Sequence, residues 1–184
     1  MKKTYLFVIT TVLTVAFSAK AQLNELNDNE LFGITFDNIS LGSIMEVHGN
    51  DQKAEALFGK GNFESMRNDH LNPNPNSTED CPDWCMYYQL FDRQLYVRFE
   101  KESTSDDFYH FTYAKVKSSD ISVSVKNVTV SIGDSIDAFK NKGYHVNEQH
   151  NWVVFVDQDT ATIAIRFYFH PKSRKITKIQ MTTY

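Results

Sequence analysis

The two cysteines lie close together, in the segment Asp80-Cys81-Pro82-Asp83-Trp84-Cys85. Three residues separate them, whereas a redox-active pair usually has two, and no second cysteine pair is present to complete a zinc site. We therefore predict a structural disulfide between Cys81 and Cys85, which suits a compartment outside the cytoplasm. In the chain-entropy model, closing so short a loop stabilises the folded protein by about 2 kcal/mol. The disulfide would also hold the preceding Asn- and Pro-rich loop against the strand that follows.

The other reactive side chains match no catalytic or metal-binding pattern. None of the six histidines forms a His-x-x-x-His pair, and the chain lacks a Gly-x-Ser-x-Gly elbow, a phosphate loop and a dinucleotide fingerprint. Many carboxylates stand in predicted turns, such as Asp106-Asp107, Asp157 and Asp159, where they serve solvation and hairpin formation. We therefore expect no enzyme, no catalytic residue, no metal ion and no cofactor. A hydrolase working around His70 and Asp80 is the least favoured alternative.

Tyrosine and arginine alternate with apolar residues in several predicted strands. Because successive strand residues point to opposite faces, Tyr96 and Arg98 share one face of Leu95–Glu100, and Arg166 and Tyr168 share one face of the strand within residues 160–170. Tyr and Arg are enriched where protein interfaces concentrate their binding energy. We predict a partner-binding face made of six residues, namely Tyr96, Arg98, Tyr109, Tyr113, Arg166 and Tyr168. The alternative stays open that strands favour Tyr and that Arg keeps an exposed sheet soluble.

Short helices and antiparallel strands are predicted to position this face. Asp51 caps a helix that buries Ala54 and Phe58 and ends at Gly59. A second helix starts near Asp134 and ends at Gly143. Each helical segment is followed by several strands in which apolar and polar residues alternate. This order predicts an α+β fold with short helices packed on an antiparallel β-sheet.

The body of the chain reads as two tandem repeats of one unit. Residues 39–44 match residues 130–136, with the glycines aligned at an offset of 91. We predict a first α+β repeat over residues 22–127, with an insertion loop at about 60–85, and a second repeat over residues 128–184.

Two segment pairs carry a resemblance to known proteins. They are Ile39-Ser40-Leu41-Gly42-Ser43 with Phe58-Gly59, and Val130-Ser131-Ile132-Gly133-Asp134 with Lys142-Gly143. Helix-loop-helix units of this kind, each backed by an antiparallel sheet, resemble the β-lactamase-inhibitory-protein fold and the SmpA/OmlA lipoprotein domains. The resemblance implies a non-enzymatic protein binder, although the chain lacks the anchor cysteine of the lipoproteins.

The N-terminal residues have the composition of a secretory leader. Residues 1–21 combine two lysines, an apolar run and Ala19-x-Ala21, which predicts cleavage between Ala21 and Gln22. Loss of the leader removes three of the 19 basic residues, so that 16 basic residues and 23 acidic residues leave a net charge of −7. We expect an exported protein, periplasmic or secreted, with no stable membrane anchor after cleavage and no affinity for nucleic acid.

Composition and motifs together favour one function over two others. With 184 residues, 23% of them charged and 41% hydrophobic, the chain is neither a disordered tail nor a disulfide-dense miniature protein. We expect an exported protein-binding or inhibitor-like module that docks a protein partner on its aromatic and Arg-bearing sheet face. The alternatives are a structural envelope protein without a specific site and, last, the exported hydrolase.

Overall fold

A computed structural model describes residues 23–68, 85–101 and 107–184 of this chain. Among these described residues, strands account for 44% and helices for 16%. The elements in chain order are β1 (Asn24–Leu26), α1 (Asp28–Phe32), β2 (Thr35–Phe36), β3 (Ile39–Ser40), α2 (Leu41–Met45), α3 (Asp51–Phe58), β4 (Phe63–Asn68), β5 (Cys85–Leu90), β6 (Leu95–Glu100), β7 (His110–Val116), β8 (Val123–Val125), β9 (Val128–Val130), α4 (Asp137–Lys140), β10 (Trp152–Asp157), β11 (Ile163–Phe169) and β12 (Ile176–Thr183).

Eight of the strands form one large sheet in the order β1-β10-β11-β12-β7-β6-β5-β4. All neighbours pair antiparallel except β1, which lies parallel to β10. Strands β12 and β7 pair in the middle, so strands from both ends of the chain belong to one continuous layer. A second sheet of four short strands has the order β3-β2-β8-β9.

The core lies between one face of the large sheet and the helices. Helix residues such as Ile44, Phe58 and Phe139 pack in a single buried cluster with strand residues such as Phe99 and Phe167. The small sheet contributes Phe36 and a series of valines to the same cluster. Burial of these apolar side chains is the main stabilising contribution. The opposite face of the large sheet carries two smaller buried clusters, one of Cys85, Tyr87 and Tyr96 and one of Val154, Val156 and Ala164.

The protein is mostly β, so the predicted α+β fold of two tandem repeats of short helices on a sheet is wrong. The described residues contain four helices, and three of them are only four or five residues long. The aligned glycines are also not equivalent, since Gly42 lies within α2 whereas Gly133 is in a turn with φ of +97°. Helix α4 begins three residues after Asp134, because the carboxylate of Asp134 instead accepts a hydrogen bond from the N–H of Ser131.

Local signals missed in the sequence explain part of this difference. Helix α1 has such a signal, since Asn27 and Glu30 form a reciprocal capping box at its start. The segment predicted as an insertion loop begins with an edge strand, β4. The proposed boundary between residues 127 and 128 falls in the turn of the β8–β9 hairpin, where Val125 pairs with Val128.

Candidate functional site

The face of the large sheet opposite the helices, which we call the outer face, carries most of the residues predicted to bind a partner. Tyr96 and Arg98 on β6 lie on it, as do Arg166 and Tyr168 on β11, because their neighbours in each strand point into the core. Tyr113 on β7 is also on the outer face, since it pairs with Arg98. The structure therefore brings five of the six predicted residues to one surface.

Tyr109 is the exception, and a β-bulge explains why. Arg98 pairs with Tyr113 and Phe99 pairs with Phe111, so Thr112 is an extra residue in β7. The extra residue reverses the alternation, which places Phe111 in the core and Tyr113 on the outer face. Tyr109 precedes the bulge and is 6% exposed, within the core. Its expected place on the binding face does not agree with this geometry.

Three tyrosines from neighbouring strands form one aromatic group on the outer face. The ring of Tyr96 lies 5.0 Å from that of Tyr87 and 5.9 Å from that of Tyr113. Basic side chains lie over the same rings, with Lys117 at 5.0 Å from Tyr96 and Arg98 at 5.2 Å from Tyr113. These distances are those of cation–π contacts, which fix the basic head groups against the sheet.

A second aromatic group lies on the other side of the outer face. The rings of Trp152 and Tyr168 are 5.9 Å apart, and the guanidinium of Arg166 lies over both Trp152 and Tyr184, at 5.7 and 5.3 Å. Nη1 of Arg166 donates to Oγ1 of Thr182 on the adjacent strand at 3.0 Å. Arg166 is therefore held in one direction by three side chains.

Three neighbouring strands without acidic residues connect the two aromatic groups, and the outer two of these strands carry Tyr168 and Tyr113. Strands β11, β12 and β7 contain no Asp or Glu, although the whole chain has more acidic than basic residues. Their outer positions include Lys115, Lys178 and Arg166, which we call the basic strip. Among the described residues, no carboxylate lies within 4.0 Å of the charged nitrogens of these three side chains.

The charges of the basic strip are partly desolvated. Burial, and the nearby charge of Lys115, lower the pKa of the Lys178 ammonium below its usual value. Lys178 also lies over the ring of Tyr168, with Nζ at 4.9 Å from the ring centre. Gln180, which pairs with both Lys115 and Arg166, has a buried side-chain oxygen that accepts no hydrogen bond. The middle of the outer face thus holds three cations with no carboxylate partner among the described residues.

A cleft of about 510 Å³ lies beside the start of α3. Arg67 and Lys101 lie over the ring of Tyr109 there, at 5.5 and 4.9 Å. The hydroxyl of Tyr88 donates to Oδ1 of Asp51 at 3.2 Å, and burial together with the Asp51 charge raises the pKa of this phenol far above its ordinary value. Tyr88 therefore stays protonated and acts as a structural donor.

The described residues contain no group of three His, Cys, Asp or Glu that could hold a metal ion. His70, Asp80, Cys81, Ala21 and Gln22, which figure in the predicted hydrolase, disulfide and leader cleavage, lie outside the described residues. Cys85 is buried on the outer face beside Tyr87 and is disulfide-bonded. Within the described ranges, none of the helices is long and apolar enough to cross a membrane.

No family model, curated protein or solved structure matches this chain. Sequence reasoning missed Tyr87, Trp152, Lys115 and Lys178 as members of this face. The first two occupy outer positions by simple alternation within β5 and β10, which was a usable signal. The role of the lysines depends on strand order, which alternation does not reveal.

Proposed function

We propose that this protein is an exported, non-enzymatic binding module that docks a protein partner on the outer face of its large sheet. The observation that carries the proposal is the convergence of Tyr96, Arg98, Tyr113, Arg166 and Tyr168 on one surface. All of these side chains except Tyr96 are partly exposed. Aromatic and Arg side chains held in fixed positions lose little conformational entropy on binding, so they suit an interface. The inhibitor-like form of this function is a special case in which the partner is an enzyme.

A structural envelope protein without a specific site is the second candidate, and one observation favours it. The aromatic rings of the outer face already contact basic side chains of the same sheet, and Tyr96 is only 3% exposed. Such contacts stabilise a solvent-facing sheet without any partner. The two functions differ in whether one defined protein contacts this face in the cell.

Site-specific photo-crosslinking tests the proposal. A photoreactive phenylalanine analogue would replace Tyr113 or Tyr168 on the outer face, and Glu55 on the exposed side of α3 would be the matched control position. In the native host, we expect one discrete protein adduct from both outer positions and none from position 55. Absence of an adduct at both outer positions, or the same adduct from position 55, would contradict the proposal and favour the structural candidate.

A further inference from the structure

The distribution of charge on the outer face suggests the chemistry of the partner. The large sheet has acidic residues at outer positions only outside its three central strands. Glu100 on β6 forms an ion pair with Arg98 at 2.7 Å, and Glu64 on β4 pairs with Arg93 at 3.1 Å. Neither carboxylate neutralises the basic strip. Three cations therefore share the middle of a sheet in a protein whose overall charge is negative.

Holding these cations together is unfavourable in the isolated protein. Lys115 and Arg166 both pair across the sheet with Gln180, so their backbones are two strand spacings apart, about 10 Å. Lys178 is two residues from Gln180 on the central strand. Like charges at this separation repel, and partial burial strengthens the repulsion by reducing the screening effect of water. Carboxylates placed opposite the strip would remove that cost.

We infer that the partner presents a group of Asp or Glu carboxylates to Lys115, Lys178 and Arg166, while its apolar side chains contact the flanking aromatic groups. This inference rests on the proposed function and specifies its partner as a protein with an acidic patch. Charge complementarity of this kind sets the register of an interface and speeds its formation. A protein patch fits better than nucleic acid or an anionic membrane, because the net negative charge of the chain repels extended polyanions.

The inference is tested on the full protein with probes of defined charge. Nuclear magnetic resonance would follow the backbone amides of β7, β11 and β12 as a short peptide of alternating glutamate and tyrosine is added. Matched probes are the same peptide with glutamine in place of glutamate, a single-stranded oligonucleotide, and phosphatidylglycerol vesicles. We expect the glutamate peptide alone to shift the amides around the basic strip, and added salt to reverse the shifts. Equal shifts with the glutamine peptide, no shifts, or tighter binding of the oligonucleotide or vesicles would overturn the inference.

Charge variants give the second arm. Lys115→Gln/Lys178→Gln should bind the glutamate peptide about tenfold more weakly, whereas Lys140→Gln/Lys142→Gln, near α4, should bind it as the natural chain does. Equal binding by both variants would overturn the inference. If the crosslinked adduct forms at positions 113 and 168 but its yield is unchanged by the Lys115/Lys178 variant, the proposed function stands and the acidic partner does not. If no adduct forms at either position even with Lys115 and Lys178 in place, both the proposed function and the acidic partner are contradicted.

Discussion

Asp157 shows how one carboxylate can organise a turn. It is 7% exposed at the end of β10, and it accepts hydrogen bonds from the backbone N–H groups of Asp159, Thr160 and Thr162. The Thr160 hydroxyl also donates to it. These bonds, first of all those from Thr160, hold the pKa of Asp157 far below its ordinary value. The turn between β10 and β11 therefore depends on an ionised Asp157. This turn leads into β11, the strand that contains Arg166.

Replacing Asp157 by asparagine should destabilise the protein at neutral pH. Because the carboxyl group is more acidic in the folded chain than in the unfolded chain, its contribution is present above pH of about 4 and is lost as the pH falls. We expect Asp157→Asn to lower the free energy of unfolding by about 2 kcal/mol at pH 7 and the difference to shrink toward pH of about 2. Urea unfolding of the natural protein and of Asp157→Asn across this pH range measures this difference. Asp159→Asn, in the same turn, is the control and should change little; a pH-independent difference for Asp157→Asn would contradict the account.

Side-chain direction was predictable for most outer residues, and the exceptions have local causes. Alternation within a strand correctly placed Tyr96, Arg98, Arg166 and Tyr168 on one face. It failed for Tyr109, because the extra residue in β7 reverses the alternation. Threonine is an ordinary strand residue, so nothing in the sequence around residue 112 marks a bulge.

At the scale of elements, Gly49 determines how the link between α2 and α3 packs against the start of β7. Its φ is +69°, a conformation that favours glycine, and a Cβ there would lie 2.9 Å from Cδ2 of Tyr109. Gly143 has a similar φ of +84° but open space around it, with no atom within 4 Å of an added Cβ. A comparison of the two glycines therefore distinguishes backbone strain, which both positions share, from steric conflict, which arises only at Gly49.

Substitution of alanine at these two glycines should therefore have unequal effects. Gly143→Ala carries only the backbone cost, about 1 kcal/mol, whereas Gly49→Ala adds the displacement of a buried ring and should cost about 3 kcal/mol in total. Thermal or denaturant unfolding of both variants measures the difference. Equal destabilisation would mean that the Tyr109 ring moves freely and that the link is not tightly packed.

Elements with strong local signals were predictable from the sequence. Helix α3 ends at Gly59, as predicted. Helix α1 was missed because its capping box uses Asn27, and β4 because it follows a glycine-rich turn in a segment rich in asparagine. Short elements such as these gain most of their stability from tertiary packing, so local patterns predict them poorly.

For the whole molecule, the continuous sheet means that the two halves of the chain should not fold separately. Strand β12 pairs with β7 across the middle of the sheet, and both halves contribute to the same core cluster. We expect residues 128–184 alone to lack cooperative unfolding, while residues 23–184 retain it. Circular dichroism melting curves of both fragments test this. A cooperative transition in the shorter fragment would show that the predicted second repeat is an independent unit.

Strand order was the part of the fold that the sequence did not reveal. Lys115 and Lys178 are 63 positions apart in the chain, and only the pairing of β7 with β12 makes them neighbours. Alternation predicts which face a residue occupies, but long-range pairing depends on the total burial of the core. The residues of the outer face were thus partly predictable from the sequence, whereas the basic strip at its centre was not.

The central claim is that a protein partner docks on the outer face, and an affinity measurement tests it most directly. The partner identified by crosslinking would be titrated against the natural protein, Arg166→Ala/Tyr168→Ala, and the control Lys140→Ala/Lys142→Ala, with melting curves confirming that all three are folded. Because aromatic and Arg side chains dominate interface energies, we predict at least about a hundredfold loss of affinity for the outer-face variant and none for the control. Equal affinity for all three proteins would contradict the claim.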